Sequence, residues 1–169
     1  MRLPALLLLT GLALGAAACS TVNPATTAAI STPSASSPAP VAGYDWFYSQ
    51  ESQEARLAYG LAESDDLRLG LDCEQGSGQL TLSAVGAPGT KAEIHVEAGG
   101  ETARFAARSE PSQLHDGVFL TASARADEPV FQRFRRLGWL AVWQDGERRA
   151  YAPHAASVDN IERFFAYCG

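Results

Sequence analysis

Strict alternation of hydrophobic and polar residues runs through residues 67–73 (LRLGLDC) and again through residues 79–85 (QLTLSAV). The turn-forming sequence EQGSG separates the two runs. Successive side chains of a β-strand point to opposite faces, so this pattern predicts an antiparallel hairpin with one buried face. The predicted inward residues are Leu67, Leu69, Leu71 and Cys73 on the first strand, and Leu80, Leu82 and Ala84 on the second.

Shorter or weaker alternation predicts further strands over residues 45–50, 55–61, 91–98, 102–108 and 117–125. Another hairpin is predicted between residues 139 and 153. Its centre is the pair Asp145-Gly146, which favours the tight type I′ turn of two-residue hairpins.

Two segments have helical spacing instead. In residues 127–138, Asp127 is the predicted N-cap, Pro129 falls in the first turn, and Gly138 suits the left-handed position after the helix. Residues 157–169 form the second segment, with Ser157 as its predicted cap. The predicted inward faces are Val130, Phe134 and Leu137 in the first helix, and Val158, Ile161, Phe165 and Cys168 in the second.

The amino terminus has a different pattern. Arg2 is followed by an apolar stretch that ends in three alanines before Cys19, as in a secretory signal peptide covering residues 1–18. The sequence AAAC resembles the lipobox of bacterial lipoproteins, although that motif usually begins with Leu. The resemblance implies cleavage before Cys19, a diacylglyceryl group on its sulfur and acylation of the new amine. Ordinary secretion without lipid is the alternative.

A lipid on Cys19 would place the chain in the cell envelope. Ser20 differs from the Asp that retains enterobacterial lipoproteins in the inner membrane, so the outer membrane, facing the periplasm, is favoured. Residues 19–42 are rich in Ala, Ser, Thr and Pro, carry no charge, and show no apolar periodicity. We predict that they form a disordered tether, because they cannot bury enough surface to offset the entropy of ordering. Residues 43–169 are then one globular domain.

Cys73 and Cys168 are both predicted to face inward, one from a strand and one from the last helix. In an oxidising compartment, pairing is the simple inference once Cys19 is lipidated; two buried free thiols are the alternative. A bond would close a loop of about 95 residues and contribute about 4–5 kcal/mol in the chain-entropy description. The predicted fold class is therefore α+β: a mainly antiparallel sheet, as a sandwich or curled sheet, with one short helix and a C-terminal helix stapled by a disulfide.

Charge limits the range of partners. Arg2 is the only charged residue before Gly43, so the predicted domain carries all 19 acidic residues against 12 basic ones, a formal charge of −7. This balance argues against nucleic acid and against an anionic lipid surface as partners. The membrane contact is expected to run through the N-terminal lipid.

No catalytic residue, metal site or cofactor is predicted. The three histidines, His95, His115 and His154, lack chelating spacing, and no nucleophile motif or phosphate-binding glycine loop is present. Residues 59–66 (YGLAESDD) are predicted to form a turn; a surface Ca²⁺ site at its carboxylates is the alternative.

The strongest binding feature in the sequence is a set of arginines near two tryptophans. Packing of the first helix on the following hairpin would gather them into a patch for an anionic polysaccharide or protein, with a solvated helix face as the alternative. This predicted patch comprises Arg133, Arg135, Arg136, Arg148, Arg149, Trp139 and Trp143.

Beyond the lipobox, the layout of residues 54–82 and the ending IERFFAYCG are similar to small secreted proteins or lipoproteins of unassigned function in alphaproteobacteria. Lipid-anchored lysozyme inhibitors share the general plan but not the signature loop residues. The function expected from the sequence is a non-catalytic binding or envelope-maintenance lipoprotein. A periplasmic hydrolase built from dispersed Asp, Glu and His residues and a lysozyme-inhibitor-like protein remain the alternatives.

Overall fold

The alternating segments form two antiparallel sheets that share one core. The structure, a computed structural model, describes residues 37–169. The predicted signal peptide, Cys19 and most of the predicted tether lie outside the described residues. The elements of the described part are β1 (Tyr44–Glu51), β2 (Glu54–Leu61), β3 (Leu67–Glu74), β4 (Gln79–Gly86), β5 (Glu93–Ala98), β6 (Glu101–Ala106), β7 (Arg108–Pro111), β8 (Val118–Arg125), α1 (Pro129–Leu137), β9 (Leu140–Gln144), β10 (Glu147–Tyr151) and α2 (Val158–Cys168).

The strands divide into a six-stranded sheet, in the order β1-β2-β3-β4-β8-β7, and a four-stranded sheet, in the order β10-β9-β5-β6. Their inward residues form a continuous buried cluster, as the alternation predicted. The six-stranded sheet contributes Leu57, Leu71, Leu82 and Leu120, and the four-stranded sheet contributes Ile94, Val96, Leu140 and Val142. The α+β sandwich with a mainly antiparallel sheet is thus confirmed.

The chain passes from one sheet to the other between β6 and β7. The sequence predicted a single strand over residues 102–108, but the strand breaks at Ala107, whose N–H donates to the carbonyl of Ala92. β6 pairs with β5, whereas β7 pairs with β8 in the six-stranded sheet. One bent segment therefore links the sheets along one side of the sandwich.

One predicted inward residue of the first hairpin is exposed. Leu69, Leu71 and Cys73 are buried, but Leu67 is 39% exposed. The register between β2 and β3 shifts at Tyr59/Gly60, so that Leu69 pairs with Tyr59 but Leu67 pairs with Gly60. A bulge of this kind turns later side chains away from the face that simple alternation assigns to them.

The two helices form where predicted, with small differences at their caps and faces. Glu128, not Asp127, occupies the N-cap of α1 and makes no side-chain capping hydrogen bond, whereas the Asp127 carboxylate pairs with Arg125. Gly138 adopts the predicted left-handed conformation, with φ of 76°, and its N–H donates to the carbonyl of Phe134. Phe131 and Phe164 are buried in addition to the predicted faces, whereas Leu137 and Val158, which were predicted to face inward, are exposed.

The second predicted hairpin is also present. β9 and β10 pair antiparallel across Asp145 and Gly146. Both residues have positive φ, 51° and 83°, as a type I′ turn requires. This turn projects from one end of the four-stranded sheet.

Cys73 and Cys168 form a disulfide that ties α2 to β3, which confirms the predicted pairing. The carbonyls of Tyr167 and Cys168 also accept hydrogen bonds from the N–H groups of Gly76 and Gly78 in the β3–β4 turn. The end of the chain is therefore held both covalently and by backbone hydrogen bonds.

The double variant Cys73→Ala/Cys168→Ala is expected to lower the free energy of unfolding by about 4 kcal/mol, because the unfolded chain regains the entropy of a 95-residue loop. Urea denaturation of the full chain measures this. A reductant should destabilise the parent protein to a similar extent and leave the double variant unchanged. Equal urea midpoints for parent and variant would show that the bond contributes little.

Candidate ligand-binding cleft

Part of the predicted arginine–tryptophan patch lies on the outer face of the four-stranded sheet. The guanidinium carbon of Arg148 lies 5.3 Å from the ring centroid of Trp139. Glu97 accepts hydrogen bonds from Arg148 Nε at 2.6 Å and from Trp143 Nε1 at 3.1 Å. These contacts join both tryptophans to Arg148 and balance its charge with a carboxylate.

The other arginines of the predicted patch are placed differently. Arg135 forms a bidentate ion pair with Glu162 of α2, in which Arg135 Nε lies 2.7 Å from the carboxylate. Arg149 follows Arg148 on β10 and so points to the opposite face of that strand. Arg133 packs beside Gly99, and Arg136 is exposed at the end of α1.

The three histidines lie on different elements: His95 on β5, His115 in the loop before β8, and His154 between β10 and α2. His95 stacks on Trp143, with centroids 6.0 Å apart, and burial together with nearby Arg104 lowers the pKa of His95 below 6.5. His154 Nε2 lies 3.1 Å from the carbonyl oxygen of Val41. His115 is exposed in the loop before β8. Among residues 37–169, no imidazole ring is hydrogen-bonded to a carboxylate, and no group of three His, Cys, Asp or Glu side chains is arranged to hold a metal ion.

Of the predicted turn at residues 59–66, residues 59–61 belong to β2, and the turn itself covers residues 62–66 between β2 and β3. Ser64 Oγ accepts the N–H of Asp66 at 3.1 Å, and Glu63 has a positive φ of 53°. The Asp66 carboxylate accepts hydrogen bonds from Tyr44 and from Arg68. The carboxylate of Asp66 therefore bonds to a neighbouring hydroxyl and guanidinium.

A wide cleft opens at the end of the sandwich where this turn lies. Its volume is about 730 Å³, and it is bounded by the β2–β3 turn, the loop before β8 and the β9–β10 turn. Gln144 Nε2 donates to the carbonyl of Val85 at 2.6 Å and bridges the two sheets at this end. The lining of this cleft contains His115 and the charged residues Asp65, Asp66, Arg68, Asp116, Asp145, Glu147 and Arg149.

A second, smaller cavity adjoins this cleft and shares Arg68 and Arg149 with it. We call it the tyrosine pocket; its volume is about 420 Å³, within the range of small-molecule sites. The tyrosine pocket is lined by Val41, Tyr44, Tyr59, Arg68, Arg149, Ala150 and Tyr151.

Three tyrosine rings are stacked in this pocket. The centroid of Tyr59 lies 6.0 Å from that of Tyr44 and 4.6 Å from that of Tyr151, with interplanar angles of 23° and 27°. Tyr44 belongs to β1 and Tyr59 to β2, whereas Tyr151 belongs to β10 of the other sheet. The stack therefore spans the gap between the sheets, and Arg68 lies over the outer Tyr44 ring at 5.5 Å.

The hydroxyl of Tyr59, one of the residues that line the pocket, is buried. Tyr59 is only 1% exposed, and its hydroxyl has no hydrogen-bond partner among the described residues. Burial, followed by the charge of Asp45, raises the pKa of Tyr59, whereas its contact with the backbone of Val41 acts in the opposite direction. The hydroxyl therefore stays protonated and can donate.

The sequence did not indicate this pocket. Alternation in residues 55–61 puts Ala55, Leu57 and Tyr59 on one face of the predicted strand, but it does not distinguish a ring packed in a core from one that borders a cavity. The available signal was the residue type, because a buried tyrosine brings a hydroxyl that normally needs a partner.

Comparison with protein-family models, with curated proteins and with solved structures found no match for the chain. Between residues 37 and 169, neither helix has the length and apolar content needed to cross a lipid bilayer.

Tyr59→Phe is expected to raise the free energy of unfolding by about 1 kcal/mol, because it removes an unsatisfied hydroxyl and keeps the ring. Tyr44→Phe is the matched control and should lower it by about 1 kcal/mol, since that hydroxyl bonds to Asp66 and Arg68. Urea denaturation of both variants measures the difference. Equal destabilisation of the two would contradict the unsatisfied state of the Tyr59 hydroxyl.

The acid stability of the domain is expected to depend on Glu97. Its hydrogen bond from Arg148, followed by that from Trp143, lowers the pKa of Glu97 below the ordinary 4.5. At pH values above its ordinary pKa, a carboxylate whose pKa is lowered by folding stabilises the fold. This stabilisation is lost as the pH falls through the pKa of the carboxylate in the folded state. Glu97→Gln should therefore be less stable than the parent at neutral pH, and the difference should shrink below about pH 4.

Arg148→Gln should reproduce this effect, because it removes the partner that contributes most to the lowered pKa. Urea denaturation at a series of pH values gives the three profiles. If the free energies of unfolding of the parent and of Glu97→Gln differ by the same amount at every pH, the Glu97–Arg148 pair does not cause this pH dependence.

Proposed function

We propose that this protein is a non-catalytic lipoprotein of the cell envelope, whose domain binds a ligand at the end of the sandwich where the two sheets separate. Support for the anchor comes from the sequence, in which the AAAC motif ends at Cys19 and an uncharged tether follows. A diacylglyceryl group and an N-acyl chain would together hold the protein firmly, whereas a single chain gives only marginal binding. Ser20 favours the periplasmic face of the outer membrane as its location.

The tyrosine pocket is the observation that carries the binding proposal. It brings aromatic surface from both sheets next to two arginines, and the buried hydroxyl of Tyr59, one of its lining residues, has no hydrogen-bond partner in the described part of the chain. Native proteins satisfy nearly all buried polar groups, so an unsatisfied hydroxyl beside a cavity is a candidate ligand contact.

The chemical groups of the domain favour binding over catalysis. Cys73 and Cys168 are joined to each other and so supply no thiolate nucleophile. His154 Nε2 bonds to a backbone carbonyl and His95 stacks on a tryptophan, and within residues 37–169 no hydrogen bond joins either ring to a carboxylate that would orient it as a base. These contacts support a recognition role for the domain.

The anchor has a direct test. The native protein should carry the added mass of three acyl chains on its first residue, Cys19, and should partition with membranes, whereas Cys19→Ser should lack the added acyl mass. Intact-mass spectrometry and membrane fractionation measure both properties. The matched control is Ser20→Ala, which leaves the cysteine in place and should keep the acyl mass. An unlipidated native chain that begins at Met1 would refute the anchor.

A further inference from the structure

We propose that the tyrosine pocket binds a small monocarboxylate with an apolar body of about the size of an aromatic ring. This inference rests on the proposed binding function and specifies its ligand. The apolar body lies among the tyrosine rings, Val41 and Ala150, and the carboxylate accepts hydrogen bonds from Tyr59 and the two arginines.

The lining of the tyrosine pocket offers hydrogen-bond donors. Arg68 and Arg149 are the charged residues that line it, and a guanidinium can only donate. The hydroxyls of Tyr59 and Tyr151 add two further donors, and burial raises the pKa of both, so both keep their protons. A ligand that complements this set must supply acceptors and negative charge.

Neighbouring carboxylates limit the charge of that ligand. Arg68 already bonds to Asp66 at 3.0 Å, and Arg149 to Glu147 at 3.0 Å. Both acidic residues line the wide cleft and not the tyrosine pocket. Each guanidinium has five N–H donors and so retains donors for the pocket side. The adjacent negative charges, however, oppose a doubly charged ligand and favour a monoanion.

The tyrosine rings of the pocket determine the size and shape of the apolar part of the ligand. Tyr44, Tyr59 and Tyr151 come from two sheets and present mainly carbon surface to the cavity, with Val41 and Ala150 completing it. Aromatic rings pack well in such a site through offset or edge contacts. The volume of about 420 Å³ accommodates one ring with a short acidic side chain.

Nuclear magnetic resonance of ring-labelled tyrosine tests this inference on the full chain in lipid nanodiscs. The chain has five tyrosines, and three of them line the pocket. Titration with 3-phenylpropionate should shift the signals of Tyr44, Tyr59 and Tyr151. Tyr48 and Tyr167 lie outside the pocket and should not move. The matched probes 3-phenylpropanol and 3-phenylpropylamine should bind at least tenfold more weakly, because they lack the carboxylate.

Two variants locate the contacts. Tyr59→Phe should weaken 3-phenylpropionate binding about tenfold, the effect of losing one hydrogen bond to a charged group. Because this variant is expected to be no less stable than the parent, the loss cannot be attributed to misfolding. Arg149→Gln should weaken binding at least threefold, and Arg104→Gln, which alters an exposed pair on β6 outside the pocket, should not change it.

The outcomes separate this inference from the proposed function. Equal binding of the alcohol or the amine would overturn the carboxylate assignment and leave a binding pocket in place. Shifts confined to Tyr48 or Tyr167, or unchanged affinity in Tyr59→Phe, would also overturn it. If none of the probes binds, the ligand class is wrong, while the anchor is still judged separately by the acyl mass on Cys19.

Discussion

Trp46 is the point at which both sheets and both helices meet. Its indole is fully buried, and its Nε1 donates to the carbonyl of Tyr151 at 3.1 Å, which links edge strand β1 to edge strand β10. The Phe134 ring of α1 lies 5.0 Å away, and Asn160 of α2 donates to the Trp46 carbonyl at 2.9 Å. The bend at Ala107 joins the sheets on the other side, so Trp46 and this bend together close the sandwich.

The tyrosine pocket depends on this closure. Tyr59 packs on Trp46 with ring centroids 5.3 Å apart, and the carbonyl of Tyr151 accepts the hydrogen bond from the indole of Trp46. The positions of both inner tyrosines are therefore fixed by the same contact that joins the edge strands. A site built on packed elements of two sheets is more rigid than one built on loops, and rigidity lowers the ordering cost of binding.

Much of the fold could be predicted from the sequence, because alternation, turn residues and cap residues are local signals. The β3–β4 and β9–β10 hairpins and both helices follow from such signals, whereas the Cys73–Cys168 bond was inferred from the two cysteines that remain once Cys19 is lipidated. The division into two sheets could not be predicted, since alternation distinguishes inward from outward but does not identify the sheet. The exposure of Leu67 depends on a register shift that only pairing with β2 produces. The candidate site was missed for the same reason, because whether the Tyr59 hydroxyl finds a partner depends on residues far away in sequence.

Val41 relates the pocket to the rest of the chain. It belongs to the segment that the sequence assigned to the tether, yet it lines the tyrosine pocket. Its carbonyl oxygen accepts a hydrogen bond from the N–H of Tyr44 and lies 3.1 Å from His154 Nε2. The chain therefore enters the domain along one wall of the candidate site. Any ligand that fills the pocket would contact the residue from which the predicted tether departs, and so would stabilise the docking of that segment on the domain. In a lipid-anchored protein, the binding site and the connection to the membrane would then be neighbouring parts of one structure.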